Sequence, residues 1–118
     1  LHADRVVLMV VAPDGDALVP LGQHVRAGPP IPADARFPFA AIGDEVLGGV
    51  TTSSAPLVIP DVRAHPMTAA AAPLMESTGT RALLAFALRR DDATVASLNV
   101  TTGAPRAWTA RDATVLQA

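Results

Sequence analysis

Apolar and polar positions along the chain alternate between two periods. Val6 to Ala12 is a short apolar run rich in valine, the pattern of a buried strand. Pro13-Asp14-Gly15-Asp16 follows with strong turn chemistry, because proline presets φ and glycine permits φ > 0. Ala17 to Val25 returns as the second strand of a hairpin. Ala27 to Pro38 holds Gly28 and four prolines, at 29, 30, 32 and 38. Proline has no N–H to give a ladder, so this stretch is predicted to be an ordered loop.

Helical spacing appears next. Ile42, Val46, Leu47 and Val50 place a helix over Ala41 to Thr52, with Gly48 and Gly49 as weak points. Leu57 to Val62 reads as a short strand that Pro60 puts at a sheet edge. His65-Pro66 opens a further helix whose face is Met67, Ala70, Ala71, Leu74 and Met75. Pro73 is expected to kink it and Gly79 to stop it.

Arg81 to Arg90 and Ala93 to Thr102 flank Asp91-Asp92, the strongest hairpin signal in the chain. Period-two alternation puts Leu84, Phe86 and Leu88 on one side of the sheet and Leu83, Ala85 and Ala87 on the other. Thr109 is followed three residues later by Asp112, a helix-start signature, so the last helix begins near Ala110. The predicted order is β-β-α-β-α-β-β-α. Hairpins beside helix-mediated returns imply an α+β domain with a central antiparallel sheet of about five to six strands, flanked by helices.

Composition narrows the class. The chain has 118 residues, half of them apolar and 17% charged, which suits one domain with a real core and excludes disorder. No apolar run is long enough for a membrane helix, and no basic-then-apolar leader is present. The chain begins at Leu1 rather than Met, and Thr114 to Ala118 reads as the middle of a helix. A domain cut from a longer protein is therefore expected.

There are no cysteines, so disulfides, thiol catalysis, cysteine-bound zinc and thioether attachment of a chromophore are impossible. All basic residues are arginine, scattered except for Arg89-Arg90, and the formal charge is −2. Nucleic-acid binding wants a basic stripe, and there is none. Zero lysine beside abundant alanine fits the codon bias of a high-GC bacterium.

Four stretches carry a family resemblance. They are Pro56-Leu57-Val58-Ile59-Pro60-Asp61-Val62-Arg63-Ala64-His65-Pro66; Gly79-Thr80-Arg81-Ala82-Leu83-Leu84-Ala85-Phe86-Ala87-Leu88; Ala96-Ser97-Leu98-Asn99-Val100; and Pro105-Arg106-Ala107-Trp108-Thr109-Ala110-Arg111-Asp112. Together with the element order they resemble the GAF domain family. Ala87 stands where that family usually has proline, and Ala96 where it usually has glycine; both replacements are small. The resemblance implies a GAF/PAS-like fold over residues 1–118. It further implies a cytoplasmic regulatory sensor that binds a small ligand and relays it to an output domain of the same parent chain. PPM-type phosphatase, histidine kinase and diguanylate cyclase are the outputs such domains accompany, and the parent protein is expected to be a homodimer. The alternative is a ligand-free structural or dimerisation module.

His24 and His65 have no metal-ligand spacing around them. Haem-binding GAF domains resemble one another in a proximal histidine from the helix before the fourth strand, where this chain reads Ala72-Pro73-Leu74-Met75-Glu76. Cyclic-nucleotide GAF domains resemble one another in an Asn-Lys pair, a later Phe, and Asp-Glu after it. Asn99, Trp108 and Asp112 stand in related places here, but Val100 replaces the lysine and Ala113 the glutamate. Asp112 is therefore read as the cap of the last helix.

No serine has elbow glycines, no phosphate-binding loop occurs, and Asp91-Asp92 lies in a turn; no catalytic residue is assigned. Asp61, Arg63 and His65 are read either as a pocket mouth or as a loop in which Asp61 binds backbone N–H groups; the second is favoured. The ligand pocket is expected between the sheet and the helices at Ala41–Thr52 and Met67–Glu76. Its candidate residues are Phe39, Ile42, Asp61, His65, Met67, Met75 and Phe86, with no metal and no cofactor. Phe37 is a further large apolar residue near it.

Overall fold

The computed structural model describes residues 3–42, 56–66, 68–69, 71–91 and 93–117. Strand β1 (Arg5–Val11) turns at Gly15, φ +79°, and returns as β2 (Ala17–Val25). Ala12 N–H donates to the Ala17 carbonyl at 2.9 Å, closing the hairpin. Arg36 pairs with both Asp14 and Asp16 at this turn. Then come β3 (Phe37–Pro38), α1 (Phe39–Ile42), β4 (Leu57–Ile59), α2 (Ala72–Ser77), β5 (Ala82–Arg90), β6 (Ala93–Thr102) and α3 (Ala110–Gln117).

Six strands form one sheet in the order β3-β2-β1-β6-β5-β4, and every pairing is antiparallel. The expected α+β architecture is therefore the observed one. β1 and β6 occupy the centre, which explains the valine-rich run in β1: a central strand packs on both faces.

Four local expectations change. The proline-rich stretch ends in a strand, since Phe37 pairs with Leu18 and Pro38 with Ala17. Pro38 is tolerated because β3 is the sheet's edge and its outer side needs no donor. α1 starts at Phe39 rather than Ala41; the rest of that predicted helix lies outside the described residues. β4 stops at Ile59, before Pro60, and does sit at an edge. Finally, α2 begins at Ala72, so Pro73 stands in its first turn and kinks nothing. An amide there would have no intrahelical acceptor, so the missing N–H costs little.

The helix stop is as expected. Gly79 has φ +76°, Gly79 N–H donates to the Glu76 carbonyl, and Thr80 N–H reaches the Met75 carbonyl, both at 3.0 Å. This is a Schellman closure, which requires a left-handed residue at the Gly79 position. At the β5–β6 turn Asp91 takes φ 52°, a conformation short polar side chains accept better than most.

Register divides the sheet into two faces. Leu57 lies opposite Ala85, Ile59 opposite Leu83, Asn99 opposite both Ala85 and Val7, and Ser97 opposite both Ala87 and Met9. These residues share the inner face, where Leu57, Ile59, Val62, Ala72, Leu83 and Ala85 form one buried cluster. Further along, Val7, Met9 and Ile31 are packed by Leu18, Ala35 and Phe37. The outer face carries Leu84 and Val100, both fully buried, beneath Ala3, Val6 and Trp108. The split of β5 into Leu84 on one side and Leu83 with Ala85 on the other is the alternation its sequence requires.

Candidate functional site

The inner face is where helices meet the sheet. Ile42, from the end of α1, and Met75, from α2, are half-buried and pack on the Leu57, Ile59, Val62, Ala72, Leu83 and Ala85 cluster. Two candidate residues from separate elements thus converge on the same apolar wall. Phe39 opens α1 and its N–H donates to the Asp16 carbonyl at 2.9 Å; it is half-buried but outside that cluster. Met67 lies outside the described residues.

Phe86 needs correction as a pocket residue. It shares the outer face with Leu84, turned away from Ile42 and Met75, because two residues on a strand restore the same side. The sequence pattern separated Phe86 from Ala85 but could not say which of them faces the helices. Pairing of Leu57 and Ile59 with Ala85 and Leu83 decides it.

Asp61 lies in the loop that follows β4. Its Oδ1 accepts Arg63 N–H at 3.0 Å, and its carboxylate takes Arg81 side-on, with Nε at 2.8 Å and Nη2 at 3.2 Å. The loop reading of Asp61 therefore describes its bonding, with an arginine partner added. The Arg81 hydrogen bond, helped by the Arg63 amide, holds the Asp61 carboxyl below the usual carboxylate range. Arg63 in turn pairs with Glu76 on α2. His65 is half-buried in the same loop. Its N–H donates to the Asp61 carbonyl at 3.1 Å, and its own carbonyl accepts Thr68 N–H at 3.1 Å. Thr68, fully buried, ties the loop down by donating its hydroxyl to the Val62 carbonyl at 2.8 Å.

The end of β4 is linked to the segment that leads into α3. Arg106 N–H donates to the Pro60 carbonyl at 2.9 Å and Trp108 Nε1 to the Ile59 carbonyl at 3.1 Å. The Arg106 guanidinium stacks 4.6 Å above the Trp108 ring and pairs with Asp112 at 3.2 Å. Thr109 and Asp112 cap each other: Thr109 N–H donates to Asp112 Oδ2 at 2.9 Å, and Asp112 N–H to Thr109 Oγ1 at 3.1 Å. The Thr109 amide first, then Arg106, keeps the Asp112 carboxyl below its ordinary range.

Sequence reasoning missed the placement of three polar residues. Arg5 is only 3% exposed, and its guanidinium donates to the carbonyls of Pro29 and Thr78 and to Thr80 Oγ1. A cleft of about 190 Å³ runs beside it, past Asp4, Pro29 and Gly79. Ser97 and Asn99 lie on the inner face, with Asn99 Nδ2 donating to Ser97 Oγ at 2.9 Å. The available signal was alternation: Ser97, Asn99 and Thr101 interleave with the apolar Leu98 and Val100. Among the described residues no three His, Asp or Glu side chains cluster as metal ligands, and no helix is long and apolar enough to cross a membrane.

An antiparallel sheet with one face roofed by short helices, and a helix leaving the opposite side, defines a class of α+β modules. The GAF domain family profile matches residues 1–118, and the chain belongs to that family. Solved structures agree on the fold. The GAF domain of the cyanobacteriochrome PixJ from Thermosynechococcus elongatus, in its blue-light absorbing form, is similar with TM-score 0.76 at 16% identity; the match covers 96% of this chain and 67% of that one.

The chromophore-binding domain of a bacteriophytochrome from R. palustris gives TM-score 0.74 at 16% identity, covering 95% of this chain and 44% of that one. Free methionine-R-sulfoxide reductase from Neisseria meningitidis gives TM-score 0.68 at 21% identity, covering 97% and 60%. This chain thus spans less than half of the bacteriophytochrome chain and under two-thirds of the reductase. No curated protein matches.

Proposed function

We propose that this GAF domain is a regulatory sensor without catalytic chemistry, working in a cytoplasmic bacterial signalling protein. It takes a small, moderately apolar ligand between the inner sheet face and the helices around Ile42 and Met75. Binding biases those helices, and the change passes to an output domain of the same parent chain, a PPM-type phosphatase, histidine kinase or diguanylate cyclase in a homodimer. The observation that carries this reading is the convergence of Ile42 and Met75 on one apolar wall, next to a strand end bonded through Pro60 and Ile59 to the segment that leads into α3. One similar structure is a chromophore-binding domain and another holds bound biliverdin, and their shared fold supports a ligand here. Thermodynamics demands that the ligand prefer one of two states of the domain.

Native mass spectrometry of the protein as purified tests this. A stoichiometric small-molecule adduct that is lost on denaturation supports it; a bare mass across purifications from its own host overturns it. The alternative, a ligand-free dimerisation module, draws support from the outer face, where Val58 and Leu88 are both 41% exposed. Sedimentation equilibrium showing a tight dimer with no adduct would favour that reading.

A further inference from the structure

Asp4 and Arg5 line one cleft at the lower end of the sheet, with Pro29, Gly79, Thr101 and Gly103. None of these residues belongs to the inner-face cluster on which Ile42 and Met75 pack. Arg5 is 3% exposed and both its terminal nitrogens are engaged: Nη1 with the Pro29 and Thr78 carbonyls, Nη2 with the Thr80 hydroxyl. The Nε–H is buried and has no acceptor among the described residues. All three acceptors are neutral oxygens, and among the described residues no carboxylate forms an ion pair with this guanidinium. A buried cation with a donor to spare is a group that a ligand oxygen stabilises.

The cleft carries the opposite charge as well. Asp4 Oδ2 accepts the Gly103 N–H at 2.8 Å, which fixes the carboxylate beside the cleft and occupies one of its roughly four acceptor sites. Arg5 and Asp4 sum to zero, so a bare anion would face an uncancelled carboxylate and a bare cation a buried guanidinium. A molecule with both signs a few bonds apart answers both groups. At about 190 Å³ the cleft has room for about six water molecules at ~30 Å³ each, hence for a ligand of about six non-hydrogen atoms. Gly103 keeps that space open: a Cβ there would lie 3.6 Å from Asp4 Oδ2 and 3.6 Å from the Gly79 carbonyl oxygen.

We propose that this cleft is a second binding site, for a small free α-amino acid in its zwitterionic form. The ligand carboxylate takes the Arg5 Nε–H, the ammonium donates to Asp4, and a methyl-sized side chain lies against Pro29. Each end of a peptide offers only one of those charges, so the pair selects free amino acids. The occupied site ties together three chain segments: the stretch at Gly28 and Pro29, the stop of α2 at Gly79, and Gly103 beyond the end of β6. It is separate from the sensor pocket proposed above, and neither reading rests on the other.

The test titrates L-alanine and propionate, which lacks only the ammonium, into isotope-labelled protein. NMR follows the Arg5 Nε–H and the Gly103 amide, with the Ala85 methyl reporting on the sensor pocket. The expected result is saturable movement of both cleft signals while Ala85 stays still, with L-alanine binding at least about tenfold tighter than propionate. Asp4→Asn keeps an acceptor for the Gly103 N–H and removes the charge; it is expected to bring L-alanine down to the propionate level. Gly103→Ala adds a methyl at ordinary contact distance and is expected to abolish binding without lowering the thermal unfolding midpoint. Propionate binding as tightly as L-alanine overturns the amino-acid assignment. No movement of the cleft signals with either probe, or movement undiminished in Gly103→Ala, overturns the site. Movement of Ala85 in place of Arg5 and Gly103 overturns the cleft and assigns the probe to the sensor pocket. The comparison of probes needs only the unaltered chain, so it decides the question even where Asp4→Asn folds poorly.

Discussion

Arg5 Nη1 lies 2.7 Å from the Thr78 carbonyl oxygen, joining the first residue of β1 to the residue that caps α2 across 73 positions of sequence. The same guanidinium holds the Pro29 carbonyl and the Thr80 hydroxyl, so one side chain closes three loops at the lower end of the sheet. Its Nε–H is buried and has no partner among the described residues, and burial weighs against its charge. Arg5→Met keeps most of the volume and leaves the carbonyls of Pro29 and Thr78 unpaired. A loss of about 2–4 kcal/mol is expected from charged hydrogen bonds of this kind. Chemical denaturation showing less than about 1 kcal/mol would remove Arg5 from this role.

Acid stability gives a second expectation. Asp61 and Asp112 both have carboxyls held below the ordinary range, by Arg81 and by the Thr109 amide respectively. A depressed native pKa means the stabilisation is complete above the unfolded value, about 3.9, and is lost as pH falls through the lower native value. Denaturation midpoints measured from about pH 6 down to about pH 2 should fall at the acid end. Asp61→Asn and Asp112→Asn should each flatten that fall, and profiles parallel to the parent would contradict it.

The reciprocal cap at α3 is a third. Thr109→Ala removes the acceptor for the Asp112 amide, at a cost of about 1 kcal/mol by comparison with other N-caps. Thr109→Ser should recover most of that. Both follow from thermal unfolding, and equal losses for the two variants would show that the hydroxyl is not the source.

Phe86 and Leu84 make a paired prediction, since they share the outer face at unequal depth. Leu84→Ala, at a fully buried site, should cost about 2–5 kcal/mol. Phe86→Ala, half-buried, should cost about 1.5–2.5 kcal/mol, below the usual range for a core phenylalanine. Neither should alter a ligand bound near Ala85. A Phe86→Ala variant that loses binding while staying folded would return Phe86 to the pocket.

Much of the fold was legible in short-range chemistry. Asp91 marked its hairpin, Gly79 its helix stop, and Thr109 with Asp112 the start of α3, because each device needs a particular residue within a few positions. What resisted reading depends on distant partners. Pro38 joins a sheet only because β3 lies at the edge, which no local pattern reveals. Arg5 reads as a solvated charge until Pro29, Thr78 and Thr80 come to it. Apolar spacing singled out Ile42 and Met75, and both pack on the inner-face cluster. The side taken by Phe86 had to wait for the register of β4, and the inward Ser97 and Asn99 ran against the expectation that polar strand positions face water.

The fastening of Arg106, Trp108 and Thr109 has a rotational consequence. Pro60 and Ile59 fix where the chain leaves the sheet edge, and the reciprocal cap fixes where helical geometry starts. The azimuth of every later side chain on α3 is then set by counting from Thr109, at about 100° per residue. One residue inserted between Asp112 and Ala113 would swing all that follows by about a quarter turn or more, whereas seven would bring it back to within about 20°. Any chain continuing that helix would therefore inherit its angular phase from a tryptophan hydrogen bond at the rim of the sheet.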